Sequence, residues 1–201
     1  MPKIVDKKIK REKILESAIS VFAKKGIFKT KIADIAAAAD VGKGTIYEYF
    51  NSKDEIFLAA FHYVIEKAER VVAKRLSTTG DPLEKLCLLF EAWKEILGSE
   101  FKEHMEIMLD FWAEGIRSKD ESAAFSLKKI YDENRKLIKN ILDDCVEQRK
   151  IRPVDTKIAA SIIIGTMDGL IVQFITDPRI FSIKKSFDLL AQIVISGLKK
   201  G

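Results

Sequence analysis

The chain has 201 residues, 47% of them hydrophobic and 32% charged, with only 4 prolines. That balance fits an ordered, soluble, mostly helical protein of one large or two small domains. The longest apolar run, residues 158–175, is broken by Ser161, Gly165, Thr166, Asp168, Gly169 and Gln173. It falls short of the ~18–20 uninterrupted apolar residues of a membrane span, so no membrane association is expected. The net charge of +5 is concentrated: residues 1–53 hold 12 Lys/Arg against 6 Asp/Glu, while residues 54–201 hold 23 against 24. A basic N-terminal quarter on a balanced remainder points to a polyanion, nucleic acid first.

In chain order, Ile14, Leu15, Ala18, Val21 and Phe22 form a first helical stripe, stopped by Lys24, Lys25 and Gly26. Ile32, Ile35, Ala36 and Ala39 form a second, shorter one. Thr30 is its expected N-cap, and Asp34 places a negative charge near its start. A longer helix begins at Lys53, capped by Ser52, with Asp54 and Glu55 in its first turn. Residues 77–82, Ser-Thr-Thr-Gly-Asp-Pro, make the clearest linker. Helices are then predicted over 82–97, 100–116, 121–149, 155–175 and 183–198, and no segment alternates as a strand does. The expected fold is all-α with about nine helices. Its parts are an N-terminal three-helix helix-turn-helix DNA-binding domain (1–53, continuing into the helix from 53) and a larger helical regulatory and dimerisation domain (54–201).

Between the second stripe and Lys53 lies Val-Gly-Lys-Gly-Thr-Ile-Tyr-Glu-Tyr-Phe-Asn-Ser, residues 41–52. On a helix at ~100° per residue, Ile46 and Phe50 share a core-facing side. Lys43, Gly44, Thr45, Tyr47, Glu48 and Tyr49 are then left on the edges and the outer face. Such a helix suits the DNA major groove. Gly42 and Gly44 allow a close approach to phosphate. Thr45, Tyr47, Tyr49 and Lys53 can contact phosphate oxygens, which positions without reading sequence. Lys43 can reach guanine O6/N7, and Glu48 can accept from a cytosine amino group. Helix 32–39, a turn through Asp40 and Val41, and helix 42–50 together have the spacing of a helix-turn-helix. The four alanines at 36–39 allow close packing.

Residues 9–65 resemble the DNA-binding domain of the TetR/AcrR-type bacterial transcriptional repressors. The segments carrying the resemblance are ILESAISVFAKKGIFKTKIADIA and AADVGKGTIYEYFNSKDEIF. It implies DNA contacts from Lys43, Gly44, Thr45, Tyr47, Tyr49 and Lys53. Four positions depart from the pattern. Asp40 replaces a usual glycine, Gly42 a common serine and Lys31 a second threonine, while Ala33 stands where an arginine often reads a base. Lys31 remains a candidate DNA contact. Asp tolerates a left-handed backbone, so the turn at Asp40 is expected to survive.

The remaining chain matches the family in architecture. A lone helix-turn-helix binds weakly, so a homodimer on a palindromic double-stranded operator is expected. Helix 155–175 is apolar on more than one face and carries a ridge of small residues at Ser161, Gly165 and Gly169. The last helix carries a stripe through Ile183, Phe187, Leu190, Val194 and Leu198. The resemblance implies that these two helices pair with their copies, through Ile162, Gly165, Gly169, Phe187, Leu190 and Val194. It also implies a small-molecule effector, apolar or amphipathic. Phe90, Trp93, Met105, Met108, Phe111, Trp112, Phe125, Tyr131 and Phe174 are candidate lining residues, and Asp168 and Gln173 candidate polar contacts.

Nothing indicates catalysis, a metal or a cofactor. His62 and His104 lie in no HExxH or ExxH pattern, and there is no P-loop, GxGxxG or GxSxG. Cys87 and Cys145 have no CxxC spacing and are expected to be reduced thiols in a cytoplasmic protein. The alternative function is a helical ligand-binding or protein-interaction module without specific DNA binding. Salt-sensitive DNA binding separates the two.

Overall fold

The computed structural model describes residues 2–98 and 126–199 and, between them, 109, 110, 112, 113 and 116; side chains are described from residue 6 onward. The described residues form eight helices and no strand: α1 (Pro2–Lys25), α2 (Ile32–Ala38), α3 (Lys43–Tyr47), α4 (Lys53–Leu76), α5 (Pro82–Gly98), α6 (Leu127–Glu147), α7 (Thr156–Thr176) and α8 (Ile183–Leu198). The helix predicted over 100–116 lies mostly outside the described residues, and those described within it are helical. Two compact units are present, one built on residues up to Ala68 with the described residues between 109 and 116, and the other on Glu69 to 98 with Ser126 to 199. The boundary therefore falls inside α4, some fifteen residues beyond Lys53.

In the first unit, α1 to α4 bury one core. Ile14, Leu15 and Phe22 from α1 meet Ile35 from α2, Ile46 from α3 and Ile56 and Phe61 from α4, all essentially without solvent contact. Phe22 and Phe57 pack edge to face, centroids 5.8 Å apart. Two of the four alanines, Ala36 and Ala39, are buried, while Ala37 and Ala38 face out.

The helix ends explain the turns. Gly26 closes α1 at φ 73°, its N–H bonding to Phe22 O at 2.7 Å. The α2 cap differs from expectation. Thr30 is buried and donates its hydroxyl to Gly26 O at 2.8 Å, and the cap position falls to Lys31. Asp34 satisfies the start of the helix, accepting the Lys31 N–H at 2.9 Å. At the other end Asp40 takes φ 55°. Its N–H bonds to Ala37 O, and Val41 N–H bonds to Ala36 O. That pair of bonds is a Schellman cap with aspartate at the left-handed position. Ser52 caps α4 by accepting from Glu55 N at 3.0 Å.

The second unit stacks α5, α6, α7 and α8 around Leu86, Leu89, Phe90, Ile138, Leu142, Ala160, Ile163 and Leu190. Three rungs join α6 and α7 in antiparallel order: Thr156 to Asp143 (2.6 Å), Arg135 to Ser161 (3.0 Å) and Tyr131 to Asp168 (2.7 Å). An ion pair between Lys150 and Asp81 holds the start of α5 beside the end of α6, so those helices are antiparallel as well. Arg152 ties the chain after α6 to the end of α8, through its N–H to Leu198 O (2.9 Å) and its Nε to Gly197 O (3.0 Å). Cys145 is fully buried, and burial pushes its thiol up to about 11. By length and composition α7, 21 residues with a hydropathy of 1.9, is apolar enough to cross a membrane, despite the polar residues that break the run. Only 17% of that stretch is buried within the chain.

Candidate functional site

α3 is shorter than the residues 42–50 expected, and the chain reaches Phe50 as a tightened turn. Gly42 caps the helix, and Glu48 N–H is shared between Gly44 O (3.1 Å) and Thr45 O (3.2 Å). The N–H groups of Tyr49 and Phe50 then both converge on Ile46 O at 3.0 Å. This swings Phe50 inward. Ile46 and Phe50 are the anchor, 0% and 2% exposed. The Arg11 guanidinium lies 5.2 Å from the Phe50 ring centroid, a cation–π contact binding α1 to the end of the motif. No pattern in the sequence pointed to that contact, because it joins residues 39 positions apart.

Around the anchor the other candidates stand outward. Lys43, Gly44 and Glu48 are exposed, Tyr47 is 55% exposed, and Thr45 and Tyr49 are half-buried at the edges. Lys31 is exposed at the start of α2. A Cβ added at Gly42 or Gly44 would meet nothing within 4 Å, and neither glycine has a positive φ. The protein's own packing therefore requires glycine at neither position. Lys53 is half-buried and donates to Ile27 O at 2.8 Å. That bond uses one of three ammonium donors and fixes where the charge sits.

The start of α2 is fixed electrostatically. Lys25 and Asp34 form an ion pair at 2.8 Å. The Lys25 ammonium, with the Lys31 backbone N–H, holds the Asp34 carboxyl below the usual carboxylate range. The pair links the last turn of α1 to the first turn of α2.

In the second unit the aromatic candidates divide. Phe90 is fully buried core, and Trp93 packs on it edge to face with centroids 5.3 Å apart. Tyr131 is half-buried and donates to Asp168. Phe174 is half-buried with its ring 6.3 Å from that of Phe181, and Gln173 is exposed. Trp112 is half-buried and belongs to the first unit. Met105, Met108, Phe111 and Phe125 lie outside the described residues.

The dimer candidates need correction on α8. Phe187 and Leu190 are buried within their own chain, and Val194 packs partly against the same core. The stripe they form turns toward the protomer's interior. The apolar residues that α8 leaves to solvent are Leu189 and Ile193. On α7, Ile158 and Ile162 are exposed, the latter by 62%, with Gly165 exposed beside them and Val172 further along the same side. Gly169 is half-buried.

Residues 14–60 match the model of the tetR family of bacterial regulatory proteins, and residues 82–196 that of the BetI-type transcriptional repressor C-terminal region. The regulator BetI of Yersinia pestis is 28% identical over 174 residues, 85% of this chain and 83% of that one. The fatty acid metabolism regulator protein of Bacillus subtilis is 21% identical over 197 residues, 96% of this chain and 97% of that one. A transcriptional regulator from Saccharomonospora viridis, solved in complex with choline, superposes with a TM-score of 0.82 at 25% identity, covering 95% of this chain and 98% of that one. A C-terminal match over more than half of the chain, joined to an N-terminal match that spans the helix-turn-helix, makes this protein a TetR-family transcriptional regulator with a BetI-type C-terminal region.

Proposed function

We propose that the protein is a cytoplasmic homodimeric repressor that holds a palindromic operator through α3 and releases it when a small molecule binds the second unit. The observation that carries the DNA-binding half is the surface of α3. Two glycines, a lysine and two tyrosines stand on or beside a helix anchored by Ile46 and Phe50, and the protein's own packing does not require the glycines. Lys43 and Glu48 read base edges; Lys31, Gly44, Thr45, Tyr47, Tyr49 and Lys53 hold the backbone. The exposed apolar stripe of α7, through Ile158 and Ile162, with Leu189 and Ile193 of α8, is the face that a second copy covers. That pairing also accounts for the membrane-like hydropathy of α7 without a bilayer. The relatives' names carry different chemistries: one was solved in complex with choline, and the other is a fatty acid metabolism regulator. A small organic effector is the common denominator.

The test is selection of binding sites from random duplex DNA with the purified protein at two salt concentrations. Enrichment of a palindrome, lost steeply as salt rises, supports the reading. Binding with no enriched motif would reduce α3 to a phosphate grip. Folded protein that binds at neither salt concentration would favour an interaction module without DNA binding.

A further inference from the structure

The turn between α1 and α2 holds an aromatic side chain out in water. Phe28 is 89% exposed, more than any other large apolar residue among those described. It occupies one corner of the turn over residues 27–30, with Lys29, also exposed, at the other. The backbone beneath it is tied down. Thr30 N–H bonds to Ile27 O at 3.3 Å, and the Thr30 hydroxyl to Gly26 O at 2.8 Å. Lys53 Nζ, from the start of α4, donates to the same Ile27 O at 2.8 Å. The Lys25–Asp34 ion pair joins the helices on either side at 2.8 Å. Turn corners favour Gly, Pro, Asn, Asp and Ser, each for a backbone reason that phenylalanine does not share. Neither the turn nor the core therefore accounts for Phe28.

The surroundings are basic. Between Glu16 and Asp34 the chain carries Lys24, Lys25, Lys29 and Lys31 and no acidic residue, and all four lysines are exposed. An apolar ring within a basic rim complements a surface that alternates anions with apolar patches. The DNA backbone is such a surface, with deoxyribose between its phosphates. The turn is also continuous with the proposed DNA-binding residues. Lys31 follows Phe28 by three positions. The carbonyl that holds the Lys53 ammonium belongs to the peptide whose N–H is that of Phe28. A phosphate gripped by Lys53 would bring its own sugar toward that peptide.

We infer that Phe28 is a DNA contact outside the helix-turn-helix, its ring covering a deoxyribose of the backbone beside the phosphates held by Lys31 and Lys53. This rests on the reading that α3 holds DNA, and it extends the interface to the α1–α2 turn. The contact is apolar and blind to base sequence, so it adds affinity and neutralises no phosphate.

The experiment uses the full-length protein and the duplex enriched by site selection. Phe28→Ala is expected to unfold in denaturant no earlier than the parent, because the ring is in water. Its operator affinity should fall by about 5–20-fold, the yield of covering part of an aromatic ring. The loss should be equal across site variants. The slope of log affinity against log salt should stay that of the parent, whereas losing a lysine contact would lower it by about one. Phe28→Leu should retain part of the affinity. Phe28→Trp should show a fluorescence change on DNA that the parent, with Trp93 and Trp112 alone, does not show.

Undiminished operator binding by Phe28→Ala would overturn the assignment and leave the DNA reading intact. A loss confined to one base position would also overturn it, making Phe28 a contact to a base edge such as a thymine methyl. Earlier unfolding of both Phe28→Ala and Phe28→Leu would give Phe28 a folding role instead. A Phe28→Trp signal with phosphatidylglycerol vesicles and none with DNA would assign the turn to an anionic lipid surface. If the parent itself binds no DNA at either salt concentration, the DNA reading falls and this contact with it.

Discussion

The exposed faces of α3 and α7 both spend residues that a single folded chain does not need, and they do so with opposite chemistry. α3 and its cap turn outward a lysine, a tyrosine, the edge of a threonine and two glycines at which an added Cβ would meet nothing. α7 turns outward isoleucine and valine, and only 17% of its most apolar stretch is buried. A polar face with unneeded glycines suits a polyanion that must come close, since backbone and short side chains leave room for phosphate. An apolar face suits a surface like itself, because burying it gains free energy from water alone. The same excess over folding fits DNA in one region and, in the proposed homodimer, a second copy in the other.

The largest effect is expected from breaking the apolar side. Ile162→Glu places a charge on the most exposed apolar position of α7. Sedimentation should show monomers, and DNA affinity should fall by ~100-fold or more as the linked second half-site is lost. A monomer that binds the operator undiminished would remove the link between the two faces. On the polar side, Lys43→Ala should cost ~1–3 kcal/mol of discrimination and alter which bases are preferred in a repeated site selection. Unchanged preference would make Lys43 a phosphate contact.

Gly44→Ala sharpens the contrast, since folding and function should move in opposite directions. A Cβ there meets nothing, so denaturant unfolding should show no loss and up to ~1 kcal/mol of gain from helix propensity, while DNA affinity drops. Tyr47→Phe should weaken binding to all sequences alike by ~0.5–1.5 kcal/mol, the worth of one hydrogen bond, measured across a panel of site variants. The smallest effect concerns the Lys25–Asp34 pair. The Asp34 carboxyl is depressed in the folded state. Its contribution is therefore present above the unfolded value of about 4 and disappears as pH falls through the lower folded value. Asp34→Asn should lower the melting temperature slightly at pH 7, and that difference should vanish in strong acid.

Much of this was legible from residue order. Ile46 and Phe50 were assigned inward by helical phase and are inward. Asp40 was read as a residue able to replace a left-handed glycine, and it sits at φ 55°. Those features are local: they depend on periods of three and four residues and on what one backbone position tolerates. The misreadings were also systematic. By residue type Thr30 is the expected cap of α2, yet its hydroxyl serves Gly26. Phe187 and Leu190 were correctly read as one stripe, but periodicity shows only that a face is apolar, not whether the chain's own core or a partner covers it.

The sequence by itself determined the all-α fold, the helix-turn-helix and the outward set on α3, because short-range patterns encode them. Only the tertiary structure decided which apolar face of α7 and α8 is left uncovered, that Lys53 is fixed on Ile27, and that Asp168 meets Tyr131. Each of these depends on contacts between residues 26 or more positions apart in the chain, where burial and the nearest charge are set by how helices stack. No local rule carries that information.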